Sequence, residues 1–357
     1  MEKYSLRELC WSDELASAFA PYGERGLTPG RIAIEHRIDH VVLGEPGELR
    51  AEVAGALRHR AAGRGELPCV GDWVALEVRS GERRATIHAV LPRRTKFSRK
   101  VAGFETDEQV LAANIDLVFL VAPMDDEVNL RRLERYLTMA RASGALPVVV
   151  LTKADLCDDV AGVVRRAETI ALGVPVHAVS SVTGEGYGGL EAYLANHQTV
   201  AVLGSSGVGK STLINHLSGD ERQEVRDIRD DGKGRHTTTH RELVVLPRGG
   251  LIIDTPGMRE LALWDESDGL DTTFGDISAL ADGCRFRDCR HAGEPGCAVE
   301  RALREGVLSS DRLVAYRKLE RELHFLHLKQ DQRAAANERR KSRAMAKSHR
   351  RRNQLGS

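Results

Sequence analysis

Between residues 31 and 94 the apolar positions come in short runs: RIAIEHRI from Arg31, VVLG from Val41, LRAEVAG from Leu49, DWVALEV from Asp72 and ATIHAVL from Ala85. Gly-Glu-Pro-Gly, Gly-Asp and Ser-Gly-Glu break them. Short strands at this spacing predict a closed antiparallel unit such as a small β barrel, with a plain antiparallel sheet as the alternative. From residue 114 the rhythm changes. Buried-strand runs (LVFLVA from Leu117, PVVVL from Pro147, PVHAVS from Pro175, TVAVL from Thr199, LIID from Leu251) alternate with amphipathic stretches over 130–142, carrying Leu133, Leu137 and Ala140, and over 160–172. That alternation predicts a mainly parallel sheet flanked by helices. Further on, Leu313, Tyr316, Leu319, Leu323 and Leu326 recur every three or four residues, the apolar face of one long helix. Past Lys329 that face is lost. The pattern thus predicts a multidomain α/β chain: an N-terminal extension over 1–30, a barrel over 31–97, an α/β domain over 98–272 and a helical C-terminal domain over 273–357.

Length agrees, since 357 residues exceed one ordinary domain. Charge adds an asymmetry: 52 basic residues balance 52 acidic ones, yet residues 333–352 hold nine basic residues and only Glu338 as an acid, leaving the preceding chain eight charges negative. No apolar run approaches the roughly 18 residues of a membrane span, and the first twenty residues mix charges, unlike a secretory signal. A cytoplasmic, monomeric protein with no membrane contact is expected.

The chemistry centres on GSSGVGKST, residues 204–212. It follows a strand run and opens a predicted helix over 211–217, the setting of a phosphate-binding loop. Backbone amides from Gly204, Ser205, Ser206, Gly207, Val208 and Gly209 through Thr212 are expected to cradle phosphate. Lys210 would reach the β and γ phosphates, and the Ser211 hydroxyl would ligate Mg²⁺. Downstream, Asp254-Thr255-Pro256-Gly257 ends a strand run, which suits Asp254 to Mg²⁺ and the Gly257 amide to a γ phosphate. Upstream, Thr152-Lys153-Ala154-Asp155 also ends a strand run. A carboxylate at Asp155 accepts both N–H groups of guanine's Watson–Crick edge, while the Lys153 stem can lie over the ring; TKAD alone is equally a helix-start signal. Ser180 and Ser181, opening the turn that leads into TGEG, are placed to offer backbone N–H to guanine O6.

Of the six cysteines, Cys10, Cys69 and Cys157 are scattered, whereas Cys284, Cys289 and Cys297 crowd around His291. Three thiolates and an imidazole within fourteen residues make a full tetrahedral set, so one structural Zn²⁺ is expected rather than a catalytic metal or a disulfide. The basic tail is either a solvated end or a nucleic-acid contact. Arg93, Arg94, Lys96, Arg99 and Lys100 form a second basic stretch beside the barrel, which resembles an OB-fold, a scaffold that often binds RNA. Aromatics are 4% of the chain and no stacking motif is visible, so RNA binding is expected to be shape-directed.

GTPases of the Ras-like class carry these nucleotide motifs with the phosphate loop first; here the base motif and the SSVTGEG turn precede it, so the order is circularly permuted. Strands stay spatial neighbours under such a permutation, which keeps the site. A permuted GTPase behind a barrel, followed by a Cys/His cluster, resembles the bacterial RsgA (YjeQ) family, the GTPase of small ribosomal subunit assembly. GKGRHTTTHREL, DTPGMRELALW and CRFRDCRHAGEPGC all read like that family's segments, and the likeness runs from about residue 31 onward. The resemblance implies binding of GTP and GDP with Mg²⁺, hydrolysis in late assembly of the 30S subunit, and ribosomal RNA as partner. It also implies His236, which precedes the threonines, as the water-positioning residue and Thr238 as a Mg²⁺ ligand. Two departures stand out. Thr152 replaces the usual asparagine, which weakens a buttressing hydrogen bond, and Met258 stands where Ras-type enzymes use a glutamine to orient water. An enzyme slow by itself and stimulated by the subunit is expected; the alternative is an RNA-binding assembly scaffold whose docking nucleotide regulates, with hydrolysis incidental.

Overall fold

The computed structural model describes residues 3–79, 81–100, 108–124, 128–219, 241–254 and 267–323. His236, Thr238, Gly257, Met258, Leu326 and the basic tail lie outside the described residues.

The first helix, α1 (Asp13–Gly23), starts where the Ser12 side chain accepts from the Leu15 amide, with Asp13 and Glu14 in its first turn, where the helix dipole favours anions. It buries Leu15 and Phe19, and the Trp11 ring meets Phe19 and Trp73 edge-on at 5.9 and 4.5 Å. The N-terminal residues therefore contribute core.

Five strands follow: β1 (Thr28–Glu35), β2 (His40–Gly44), β3 (Gly47–Val53), then, past the short helix α2 (Gly55–Arg60), β4 (Trp73–Val78) and β5 (Arg84–Val90). Their order is β1-β2-β3-β5-β4, and β4 returns to β1, so the sheet closes into a barrel. Only the β3–β5 pair is parallel. The strict alternation of β3 sends Leu49 and Ala51 inward to join Ile32, Val42, Val74, Leu76, Ala85 and Ile87, a separate barrel core.

β6 (Lys96–Lys100) and β7 (Glu108–Ala113) form an antiparallel pair of their own. The α/β domain then runs β8 (Leu117–Pro123), α3 (Leu130–Ala142), β9 (Leu146–Thr152), α4 (Val160–Ala171), β10 (Val176–Ala178), α5 (Tyr187–Leu194), β11 (Thr199–Leu203), α6 (Lys210–Ser218), β12 (Glu242–Val245) and β13 (Leu251–Asp254). Strand order is β10-β9-β8-β11-β13-β12, with every pair parallel except β12–β13. All five strand runs read from the sequence are strands of this sheet, β8, β9, β10, β11 and β13. The continuous apolar character of β8, β9, β11 and β13 reflects burial on both faces, whereas β10 is a half-buried edge strand. A single register pair, Ile34 with Glu242, joins β1 of the barrel to β12.

Arg31 ties the parts together. Fully buried, it donates to the carbonyls of Leu9 (2.6 Å), Gly71 (3.3 Å) and Asn114 (2.9 Å), so one guanidinium serves the N-terminal segment, the barrel and the approach to β8. Beside it the basic stretch expected to face RNA proves partly internal. Arg93 donates to both carboxylate oxygens of fully buried Asp72 at 2.7 Å, and Arg94 pairs with Asp116 at 2.8 Å. Arg93 is thus a structural cation, because Asp72 in that position needs a partner.

The C-terminal part comprises α7 (Ser267–Thr273), α8 (Gly275–Ala281), α9 (Ala298–Arg304) and a last helix, α10, over 310–323. Leu313, Leu319 and Leu323 are buried and Tyr316 half-buried, as the periodicity of α10 predicts. One face of α3 receives this part. Buried Arg312 of α10 bonds Glu134 of α3 at 2.8 Å and both oxygens of Asp276 at 2.7 and 2.8 Å, and its guanidinium lies 4.7 Å from the Phe274 ring centroid. Arg135 holds Glu322 through two bonds of 2.8 and 2.9 Å.

Candidate nucleotide and metal sites

In a parallel sheet the carboxyl ends of the strands face one edge, and ligands bind there. At that edge sit Thr152 closing β9, Ser180 beyond β10, Gly204 beyond β11 and Asp254 closing β13. Residues far apart in sequence are assembled here.

The loop 204–209 requires its glycines. A Cβ on Gly204 would lie 2.6 Å from the Val121 carbonyl oxygen, and Gly209, which caps α6, has φ +91°, open to glycine at little cost. α6 therefore begins at Lys210, its first amides directed toward the loop, the arrangement that binds anions. Lys210 Nζ donates to the Ser205 carbonyl, folding the side chain back over the loop. Ser206 and Gly207 are exposed, Ser211 and Thr212 half-buried, and Val208 is buried as the loop's apolar anchor.

The Thr152 hydroxyl is 2.6 Å from the Val208 carbonyl oxygen and 3.3 Å from that of Ala122. One hydroxyl proton serves the shorter contact, so the β9 terminus is bonded to the phosphate loop. The weakened buttress expected from replacing asparagine is, in this geometry, a short hydrogen bond.

Lys153 takes the left-handed conformation, φ +60°, which turns the chain so that Asp155 comes out exposed at the edge. Buried Ser180 donates its hydroxyl to Asp155 Oδ1 at 2.5 Å and accepts from the Val182 and Thr183 amides at 3.2 Å each. Ser180 orients the exposed carboxylate through Oδ1, and Ser181 is exposed beside it. Asp254, only 8% exposed, ends β13 opposite Glu242.

Sequence reading passed over Arg132, in the first turn of α3, which donates to the Ser205 hydroxyl at 3.2 Å. No local signal marks it, since the two residues are 73 positions apart.

Cys284, Cys289, His291 and Cys297 come together with their ligand atoms all within 4.8 Å. Cys284 Sγ is 3.9 Å from Cys297 Sγ, and His291 Nδ1 is 3.6 and 3.5 Å from those two sulfurs. A tetrahedral zinc with Zn–S near 2.3 Å and Zn–N near 2.0 Å separates ligand atoms by roughly 3.5 to 3.8 Å, so the donor set fits. Amides of Ala298 and Glu300 approach Cys284 and Cys297 Sγ at 3.4 Å each, the hydrogen bonding that thiolate ligands receive. Glu294, also missed in the sequence, accepts from the Arg290 and Ala292 amides and knits the knuckle.

Comparison with known proteins bears on this arrangement. The family model described as RsgA GTPase matches residues 90–264. A Small ribosomal subunit biogenesis GTPase RsgA of Opitutus terrae is 50% identical over 329 residues, covering 89% of either chain. The chain belongs to the RsgA GTPase family. A Streptomyces coelicolor relative of the same name is 46% identical and covers 93% of this chain and 90% of its own. Among solved structures, YjeQ from Thermotoga maritima superposes with TM-score 0.64 at 28% identity, covering 83% of this chain and 98% of that one. YloQ, described as a circularly permuted GTPase, gives 0.62 at 25% identity, with 84% and 95% covered. In the permuted order β9 and β10 precede the loop 204–209 along the chain and stand to one side of it in the sheet, beyond β8. No described helix is long and apolar enough to cross a membrane.

Proposed function

We propose that this chain is a GTP hydrolase that binds the small (30S) ribosomal subunit through its ribosomal RNA and hydrolyses GTP late in assembly, slowly alone and faster on the subunit. The observation that carries the reading is the junction at Thr152, where the strand leading to Asp155 is bonded to the loop leading to Lys210. GTP and GDP are the ligands. Oδ1 and Oδ2 of Asp155, fixed by Ser180, accept guanine N1–H and N2–H; Lys153 covers the ring, and the Ser181 backbone faces O6. Amides of 204–212 surround the phosphates.

Mg²⁺ supplies neutralisation of charge on the β and γ phosphates, and Ser211, Asp254 and Thr238 are the residues proposed to hold it. His236 is proposed to position the attacking water, with the Gly257 amide at the γ phosphate. One Zn²⁺ on Cys284, Cys289, His291 and Cys297 has a structural part, and folding energy of roughly 10 to 16 kcal/mol is typical of such sites. The chain is proposed to act as a cytoplasmic monomer, its roles divided among an extension (1–30), an RNA-facing barrel (31–97), the GTPase (98–272) and the zinc and helical domain with its basic tail (273–357).

Met258 in place of a glutamine favours a second reading, an RNA-binding scaffold with incidental hydrolysis. Competition of guanine, adenine and xanthine nucleotides tests the base assignment, and co-sedimentation with small subunits tests the partner. Equal binding of ATP, or no association with subunits in any nucleotide state, contradicts the proposal.

A further inference from the structure

Phe286 lies between two ligands of the metal cluster, and 43% of its surface is exposed. The backbone that carries it is held in the knuckle. The Arg285 amide donates to the Gly296 carbonyl at 3.1 Å, and the Cys289 amide donates to the Phe286 carbonyl at 3.3 Å, so the chain is pinned on both sides of the ring. The Arg285 guanidinium sits over the ring, 5.4 Å from its centroid. Arg287 and Arg290 are exposed on the same loop. Of the two acids here, Glu294 is turned to the Arg290 and Ala292 amides, leaving exposed Asp288 against three arginines.

An exposed aromatic ring on a held backbone, flanked by guanidinium groups, matches what stacks an unpaired base: the ring takes the base face and the arginines take the adjoining phosphates. We propose that the Arg285-Phe286-Arg287 tip of the knuckle is a base-stacking contact for an unpaired nucleotide of RNA. This rests on the reading that the chain binds the small subunit, and it revises the expectation of purely shape-directed RNA binding. Phe286 was invisible as a stacking residue in the sequence because nothing local distinguishes an exposed phenylalanine from a core one. Only the fold of the knuckle shows it exposed.

The test uses the full-length protein, a non-hydrolysable GTP analogue and purified small subunits. Phe286→Ala is expected to weaken binding about 5- to 150-fold, the range of one base–aromatic stack, without changing the salt slope. Phe286→Trp is expected to bind like wild type and Phe286→Leu like Phe286→Ala. Arg287→Ala should lower the slope of log affinity against log salt by about one unit. Zinc content and melting temperature equal to wild type exclude misfolding. A photoreactive phenylalanine analogue at position 286 is expected to crosslink to RNA. Crosslinking only to ribosomal protein, Phe286→Leu binding as wild type, or Phe286→Ala without effect overturns the inference. Wild-type protein that ignores subunits overturns the proposed function as well.

Discussion

At the scale of residues, the candidate nucleotide site depends on a few short bonds between segments distant in sequence. Removing the Thr152 hydroxyl in Thr152→Val leaves the Val208 carbonyl of the phosphate loop without its donor. A net hydrogen bond is worth about 1 kcal/mol, so GDP and GTP affinity should fall roughly five- to tenfold in a fluorescent-nucleotide titration, while Thr152→Asn should retain it. Unchanged affinity for Thr152→Val would count against the buttress. Asp155→Asn replaces two acceptors by one acceptor and one donor, which suits xanthine. Guanine affinity should drop at least about a hundredfold and xanthine nucleotide should compete, whereas loss of both would mean the carboxylate is structural. His40, buried at the start of β2, has its pKa lowered by that burial, with the backbone at Pro68 and Ala51 pulling the other way. An imidazole that stays neutral in the fold while protonating when unfolded contributes stability above its ordinary value, lost as pH falls below it, by at most about 1.4 kcal/mol per pH unit. Urea unfolding midpoints should decline from pH 7 to 5, and His40→Gln should flatten part of that decline.

Among elements, those buried by simple pattern were legible in the sequence. The strands β8, β9, β11 and β13 are continuous apolar runs, and α3 and α4 carry periodic faces capped by Asn129 and Asp159 side chains. α5 was not read, because YGGLEAYL carries two glycines and little periodicity, and four-residue β12 is too short to stand out. Buried cations were illegible for another reason: Arg31, Arg93 and Arg312 find partners 20 to 180 residues away, which no window sees. The motif residues of the candidate site were readable because phosphate and metal chemistry fix their spacing locally; Arg132, Ser180 as orienter of Asp155, and Glu294 depend on the fold. α3 is where this matters most. Its outer face holds Arg312 and Glu322, and its first turn touches Ser205. Burial raises the Glu134 pKa against the pull of Arg312, so the pair needs its geometry intact. Arg312→Met strands Glu134 and Asp276 together, and an earlier unfolding step, lower by about 3 to 5 kcal/mol, is expected in calorimetry. An unshifted profile would show that α3 and α10 dock through apolar contacts alone.

In the whole molecule, the barrel, the α/β sheet and the C-terminal helices share one continuous apolar cluster, from Leu9 and Trp73 through Leu120 and Leu137 to Leu313, to which the β1–β12 pair, the Arg31 junction and the α3–α10 face add polar contacts. Metal removal should act on one of these three regions only. With a chelator or Cys289→Ser, the segment 284–297 should become sensitive to protease while guanine nucleotide affinity changes less than about twofold, since the phosphate loop has its own core in Val208, Leu213 and Ile214. Nucleotide affinity falling in step with zinc loss would merge the two regions. Binding of the subunit, by contrast, is expected to reach the nucleotide, because an RsgA-family chain with Met258 in place of a water-orienting glutamine has little means to hydrolyse quickly alone. The most direct measurement is multiple-turnover phosphate release from GTP with and without purified small ribosomal subunits. Stimulation of at least about a hundredfold, lost in His236→Ala, is the predicted result; equal rates in the presence and absence of subunits would contradict the account.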